Sequence, residues 1–274
     1  MPFALPLTIR RSGRARRVRL RLVPGLGLEV VVPPGFDVRR VDAVLDARRD
    51  WIETTAVRLR EEGYDLSGLP PELPDEIAFP AVDERWSVRR VVRSGAAQCR
   101  ENAGSVLLSG PDDPDALIPA LQRFVVRRAA DLLRPRLEAL SAETGLRHQR
   151  MCVRSQRTRW GSCTSRGVIN LNAKLLFLPP ELLRQALLHE LCHLRQMNHS
   201  DRFWKLVASF EPDWRRLESR LRRGTSHVPA WMEHRPAEPD DPRPESPSGM
   251  RRGSETAKGP GGRNPRPFLL IDPH

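Results

Sequence analysis

No run of about 18 apolar residues occurs in the 274-residue chain, so no helical membrane span is expected. No secretory leader is expected either. In MPFALPLTIRRSGRARR the apolar residues come before the positive ones, the reverse of a signal peptide, and a cytoplasmic protein is the expectation. Cysteine is sparse: Cys99, Cys152, Cys163 and Cys192 form no CxxC pair, which argues against a cysteine zinc knuckle and leaves reduced packing thiols. No internal repeat is present. Aromatic residues do not interleave the arginines near the N-terminus, as stacking on a single nucleic-acid strand requires.

What is there suits a folded chain of one large or two small domains, with 39% hydrophobic and 29% charged residues. Lys and Arg number 46 against 34 Asp and Glu, a net charge of +12, and most of the basic residues are Arg. Such a surface suits an anionic partner, nucleic acid being the usual one, although an Arg-rich composition alone gives the same balance. Residues 225–274 hold 7 basic and 7 acidic residues, so the whole excess lies in residues 1–224.

Periodicity divides the rest. Val18, Leu20 and Leu22 alternate with Arg17, Arg19 and Arg21. After Pro24-Gly25 the alternation resumes at Leu28, Val30 and Val32, which reads as a β-hairpin. Asp37 then caps a helix with the apolar stripe Val41, Val44, Leu45, Trp51, Ile52 and Leu59. Residues 63–82 read as a loop, and strands follow near Trp86–Val92 and Ser105–Ser109. From about Asp115 to Gly145 the pattern is helical, with Pro135 expected to kink or divide it. The pieces CVRSQR (152–157) and VINLN (168–172) flank the turn-rich RWGSCTSRG. Three parts are therefore expected: a β-rich portion with one helix over residues 1–112, a catalytic domain over 113–224, and a disordered Pro-rich tail over 225–274.

Pro179 and Pro180 open a helix that carries His189-Glu190-Leu191-Cys192-His193. Positions i and i+4 of a helix lie about 40° apart, so both imidazoles can reach one ion, and the carboxylate of Glu190 lies beside that face. Leu183, Leu187, Leu191 and Leu194 form a core stripe on the other side. Cys192 points away from the ligand face and reads as a small core residue.

A catalytic zinc takes three protein ligands and keeps one position open. His199 is ten residues beyond His189, about 15 Å along a continued helix, so it can join only if the helix stops soon after His193. No glycine lies between the two to make that turn. Asn198, which tolerates the left-handed conformation, is the expected substitute, and Ser200 is placed to cap the next helix. The rival third ligand is Glu211, in SFEPDW. The break before Ser200 favours His199.

Together these residues resemble the YgjP-like metallopeptidase family, relatives of the SprT-like and WLM zincins. The resemblance rests on Arg159-Trp160-Gly161-Ser162-Cys163, Ile169-Asn170-Leu171-Asn172, His189–His193, His199-Ser200 with Phe203-Trp204, and Pro212-Asp213-Trp214. The opening hairpin, the VPPG turn and Trp51-Ile52 also look like the family, so about residues 8–222 are covered.

The resemblance implies a zinc site of His189, His193 and His199 with Glu190 as catalytic base. The expected fold is α+β: a zincin-like domain with its HExxH helix and a small sheet, preceded by a β-rich portion. The expected function is hydrolysis of peptide bonds in a protein or peptide substrate through a metal-activated water. The alternative is a basic nucleic-acid-binding protein with a structural or vestigial zinc. VINLN is the candidate edge strand for substrate, Trp160 and Cys163 are expected to pack under the site, and Arg159, Arg157, His148 and His227 are candidate oxyanion donors, with Arg159 preferred.

Overall fold

The computed structural model describes residues 5–13, 15–23, 25–61, 64, 66–68, 72–156 and 159–234. Arg157 and residues 235–274 of the expected tail lie outside the described residues.

The chain opens with β1 (Leu7–Arg11), β2 (Arg19–Val23) and β3 (Gly27–Val32), in sheet order β1-β3-β2. The expected hairpin is β2 with β3, paired antiparallel. β1 was not legible, and it runs parallel to β3. At the turn, Gly27 sits at φ +82°, where an added Cβ would lie 2.6 Å from the carbonyl of Pro6. Asp37 caps a 3-10 turn at Val38–Arg40, accepting from the Arg39 amide. The expected single helix is two, α1 (Val41–Asp46) and α2 (Arg49–Glu61). Ile52, Ala56 and Leu59 pack on Leu22, Leu28, Val30 and Val32 as a small separate core, while Trp51 faces outward.

A second sheet follows from β4 (Glu76–Phe79), β5 (Glu84–Val92), β6 (Gln98–Asn102) and β7 (Ser105–Gly110), in order β4-β5-β7-β6. β4 lies inside the segment expected to be loop. The inward residues Trp86, Val88, Val106 and Leu108 belong to one continuous core with α3 (Pro114–Thr144). Pro135 does not divide α3, which runs through both Pro119 and Pro135. Proline removes a helical hydrogen bond, but Leu133, Leu137 and Leu140 on either side are buried, and that packing holds the helix together.

The third sheet, in order β8-β10-β9, comprises β8 (Arg150–Arg154), β9 (Gly161–Cys163) and β10 (Val168–Asn172). The helices α4 (Pro180–Cys192), α5 (Asp201–Phe210) and α6 (Trp214–Arg222) complete the core. The architecture is α+β, as the sequence led us to expect. Residues 225–234, expected to begin the disordered tail, pack instead. They form 3-10 turns ending at His227 and Met232, and Trp231 and Met232 are buried. No helix of the described residues is long and apolar enough to cross a membrane.

Candidate metal centre

α4 is buried on nearly all sides, so its polar residues need local partners. Leu183, Leu187 and Leu191 face the core, while His189, Glu190 and His193 project into a second buried space with at most 6% exposure. The helix ends at Cys192. It tightens into i→i+3 bonds, Leu194 N to Leu191 O and Arg195 N to Cys192 O, and the chain then turns back. The expected left-handed Asn198 is not found: among the described residues the only non-glycine with positive φ is Asp83. The tightened last turn does the work that the missing glycine does elsewhere.

That reversal brings His199 against the helix. The ring nitrogens offered by His189, His193 and His199 all lie within 4.8 Å of one another, and the Nε2 atoms of His189 and His199 are 2.8 Å apart. Glu211 is not part of the group. It ends α5 and accepts from the Asp213 amide at 3.2 Å, a helix-end role.

α5 grips the three rings from one side. Ser200 occupies its N-cap position, without a side-chain cap bond. Phe203 is wholly buried, stacks on His193 at 4.6 Å and meets His199 edge-on at 4.9 Å. Trp204 stacks on His199 at 5.6 Å, and Trp214 stacks on Trp204 at 4.4 Å. This aromatic packing restricts the rings' rotation without supplying polar partners.

The outer ring nitrogens point away from the cluster. His193 donates from Nδ1 to the carbonyl of Gln196 at 3.0 Å, which leaves its Nε2 as the ligating atom. His189 turns Nδ1 toward Glu218 on α6 at 3.7 Å. Burial pushes the His189 pKa down, against the opposing pull of Glu218, so the ring is held neutral. Burial would raise the Glu218 carboxyl, but His189, Arg222 and Gln185 beside it hold it below the usual carboxylate range. Three convergent imidazoles, two of them buried, are a donor set that suits a borderline divalent cation.

Glu190 lies under β9. An added Cβ on Gly161 would stand 2.6 Å from its Oε1, so only glycine leaves space for the carboxylate. Cys163 is near as well: burial, with the charge of Glu190 adding to it, pushes its thiol up to about 12. Cys192 is fully buried, its thiol also pushed up to about 12 by burial, in keeping with a packing role. Trp160 packs beneath and donates from Nε1 to the Leu221 carbonyl at 3.0 Å, tying α6 to the site floor.

VINLN is not an edge. β10 is the central strand, paired with β8 on one side and β9 on the other, because its residues Ile169 and Leu171 are needed in the core. The edges are β8 and β9, and β9, whose short GSC sequence gave no alternation to read, is the one beside Glu190. Asn172 N bonds Trp160 O and Thr164 N bonds Val168 O, so Ser162 faces β10 and the main-chain groups of Gly161 and Cys163 face outward. Asn172 fixes the approach to β9, donating to the carbonyls of Gln156 at 2.9 Å and Arg159 at 2.8 Å. Arg159 is thus placed just before β9. His148, beyond α3, and the exposed His227 are not part of the three-histidine group.

Sequence reasoning named Gly161 and Asn172 only within the family motifs, without a role, and missed Glu218. For Glu218 a signal existed: it is a single acid next to Leu217 and three before Leu221, on the face that α6 buries.

Residues 16–224 match the family described as YgjP-like, metallopeptidase domain. No curated protein matches the chain. Among solved structures, the chain is similar to the metallopeptidase zymogen abylysin of Pyrococcus abyssi, with 26% identity over 31% of this chain and 87% of that one, at a TM-score of 0.29.

Proposed function

The chain belongs to the YgjP-like metallopeptidase family, and on that premise we propose that it is a zinc-dependent peptidase with His189, His193 and His199 as metal ligands and Glu190 as general base. A metallopeptidase implies a metal ion and a protein or peptide substrate. The observation that carries the finer reading is the convergence of three imidazoles, two of them buried, beside a buried carboxylate that a glycine accommodates.

When bound, zinc supplies Lewis acidity, lowering the pKa of water and polarising a carbonyl. The chain's residues do the rest. His193 is fixed in its ligating tautomer by Gln196, and Phe203 and Trp204 limit movement of the rings. An extended peptide adds to the open edge of β9 through the outward main-chain groups of Gly161 and Cys163, which sets its carbonyl over Glu190. Glu190 takes a proton from the attacking water and returns it to the departing amine. The burial of Glu190 keeps other water from that transfer.

The test is elemental analysis of the purified chain beside His199→Ala, followed by hydrolysis of a fluorogenic unfolded polypeptide by wild type and Glu190→Gln. One zinc per wild-type chain, its loss in His199→Ala, and zinc-loaded but inactive Glu190→Gln support the peptidase. Zinc bound with no hydrolysis by either form points to the structural-zinc alternative.

A further inference from the structure

We propose that Glu218 is a positioning residue of the metal centre, its buried carboxylate accepting the Nδ1 proton of His189 and so holding Nε2 toward the ion. The inference rests on the reading of His189 as a ligand.

Glu218 lies on the inner face of α6 between Leu217 and Leu221, with its side chain 8% exposed. A carboxylate there is costly unless charge or hydrogen bonds compensate it. Three groups face it. Arg222, one turn on, approaches only to 3.9 Å and is 57% exposed, so it is a weak, solvated partner. Gln185 lies one turn before His189 on α4 and is itself buried. His189 is the third.

The geometry between Glu218 and His189 is incomplete in an informative way. Glu218 Oε2 and His189 Nδ1 are both buried, neither has a hydrogen bond, and they are 3.7 Å apart. That separation is too long for a hydrogen bond. A small tilt of the ring closes it and satisfies both atoms. His193 already has its outer nitrogen tied to a carbonyl, so the carboxylate supplies for His189 what Gln196 supplies for His193. Because Trp160 holds Leu221, the placement of Glu218 is also coupled to the loop before β9.

The rival role is structural, a buried acid that merely pins α6 to α4. Zinc affinity and ring tautomer separate the two. The full chain, stripped of metal, is titrated with zinc against a chromophoric chelator as wild type, Glu218→Gln and Glu218→Leu. The expected result is about 10-fold weaker binding for Glu218→Gln and about 100-fold for Glu218→Leu. Nitrogen-15 NMR of the metal-free protein reads His189 as Nδ1-protonated in wild type, a preference that Glu218→Leu abolishes. Wild-type zinc affinity in both variants, with an unchanged tautomer, overturns the proposal whatever happens to thermal stability. Should Glu218→Leu fail to fold, the near-isosteric Glu218→Gln carries the zinc measurement and the tautomer alike. Should wild type bind no zinc, the ligand reading fails, and the tautomer alone decides whether Glu218 holds the ring.

Discussion

Two polar clusters are buried in the same core to nearly the same depth, and they are built in opposite ways. Around Asn172 and Lys174, unlike groups close on one another. The Asn172 amide donates to two carbonyls and its oxygen accepts from the Lys174 amide, while the Lys174 ammonium pairs with Glu233. Around His189 the side chains that converge are alike: three imidazoles, whose facing nitrogens cannot all satisfy each other. The first cluster is complete within the chain and holds residues 225–234 onto the core. The second, on the proposed reading, is completed by a cation among the rings. Burial alone therefore does not mark a site; convergence of like donors does.

The strongest way to break this contrast is to remove one member of each cluster. His193→Ala should lower zinc affinity on the order of 1000-fold, since a zinc site is worth about 10–16 kcal/mol where measured and each ligand carries a large share. Stability of the metal-free protein should change far less, because the set is incomplete without the ion. Chelator competition and metal-free melting measure the two. In the other cluster, Lys174→Met should leave zinc affinity unchanged and cost about 3 kcal/mol of stability, because it strands Glu233 without its partner. Chemical denaturation checks this, and equal losses of zinc in both variants would erase the distinction.

Gly161→Ala sharpens the contrast within the site itself. The added methyl meets Glu190 rather than a histidine, so zinc should stay bound while turnover falls on the order of 100-fold, the scale of general-base catalysis. Zinc content and peptide hydrolysis, measured on one preparation, check this outcome.

Legibility in the sequence followed the same line. His189 and His193 could be read as a pair, with Glu190 beside them, because helical spacing fixes where side chains at i and i+4 go, and the break before Ser200 favours His199. The way His199 arrives could not be read, since a tightened helix end leaves no residue signature, and the expected left-handed Asn198 is absent. The hairpin of β2 and β3 was legible from alternation. β1, β4 and β9 were not, because they are short or lie among Pro and Gly, and long-range pairing rather than local pattern makes them strands. That is also why VINLN looked like an edge: the sequence carried no sign that a three-residue strand covers it. Glu218 needed knowledge of which helix α6 packs against.

His148 offers the smallest and most discriminating test. Its Nδ1 is buried and has no hydrogen bond, as is true of His189, yet among the described residues no second histidine, cysteine or acid joins it in a three-residue group. Burial lowers its pKa below the ordinary 6.5, with Glu138 opposing and Arg134 adding to the shift. Above pH 6.5 the folded and unfolded chains both hold it neutral, and it contributes nothing to pH dependence. Below 6.5 the unfolded chain binds a proton that the fold resists, so stability falls with pH until the folded pKa is passed. The ring is partly solvated, so the loss is a few tenths of a kcal/mol at most, about 1 °C in melting temperature. His148→Asn should remove that acid sensitivity, read as the difference in metal-free melting temperature between pH 7 and pH 5.5. It should leave zinc stoichiometry at the wild-type value. Loss of zinc in His148→Asn would mean that a lone buried nitrogen is enough to mark a site, and that convergence is not what separates the two clusters.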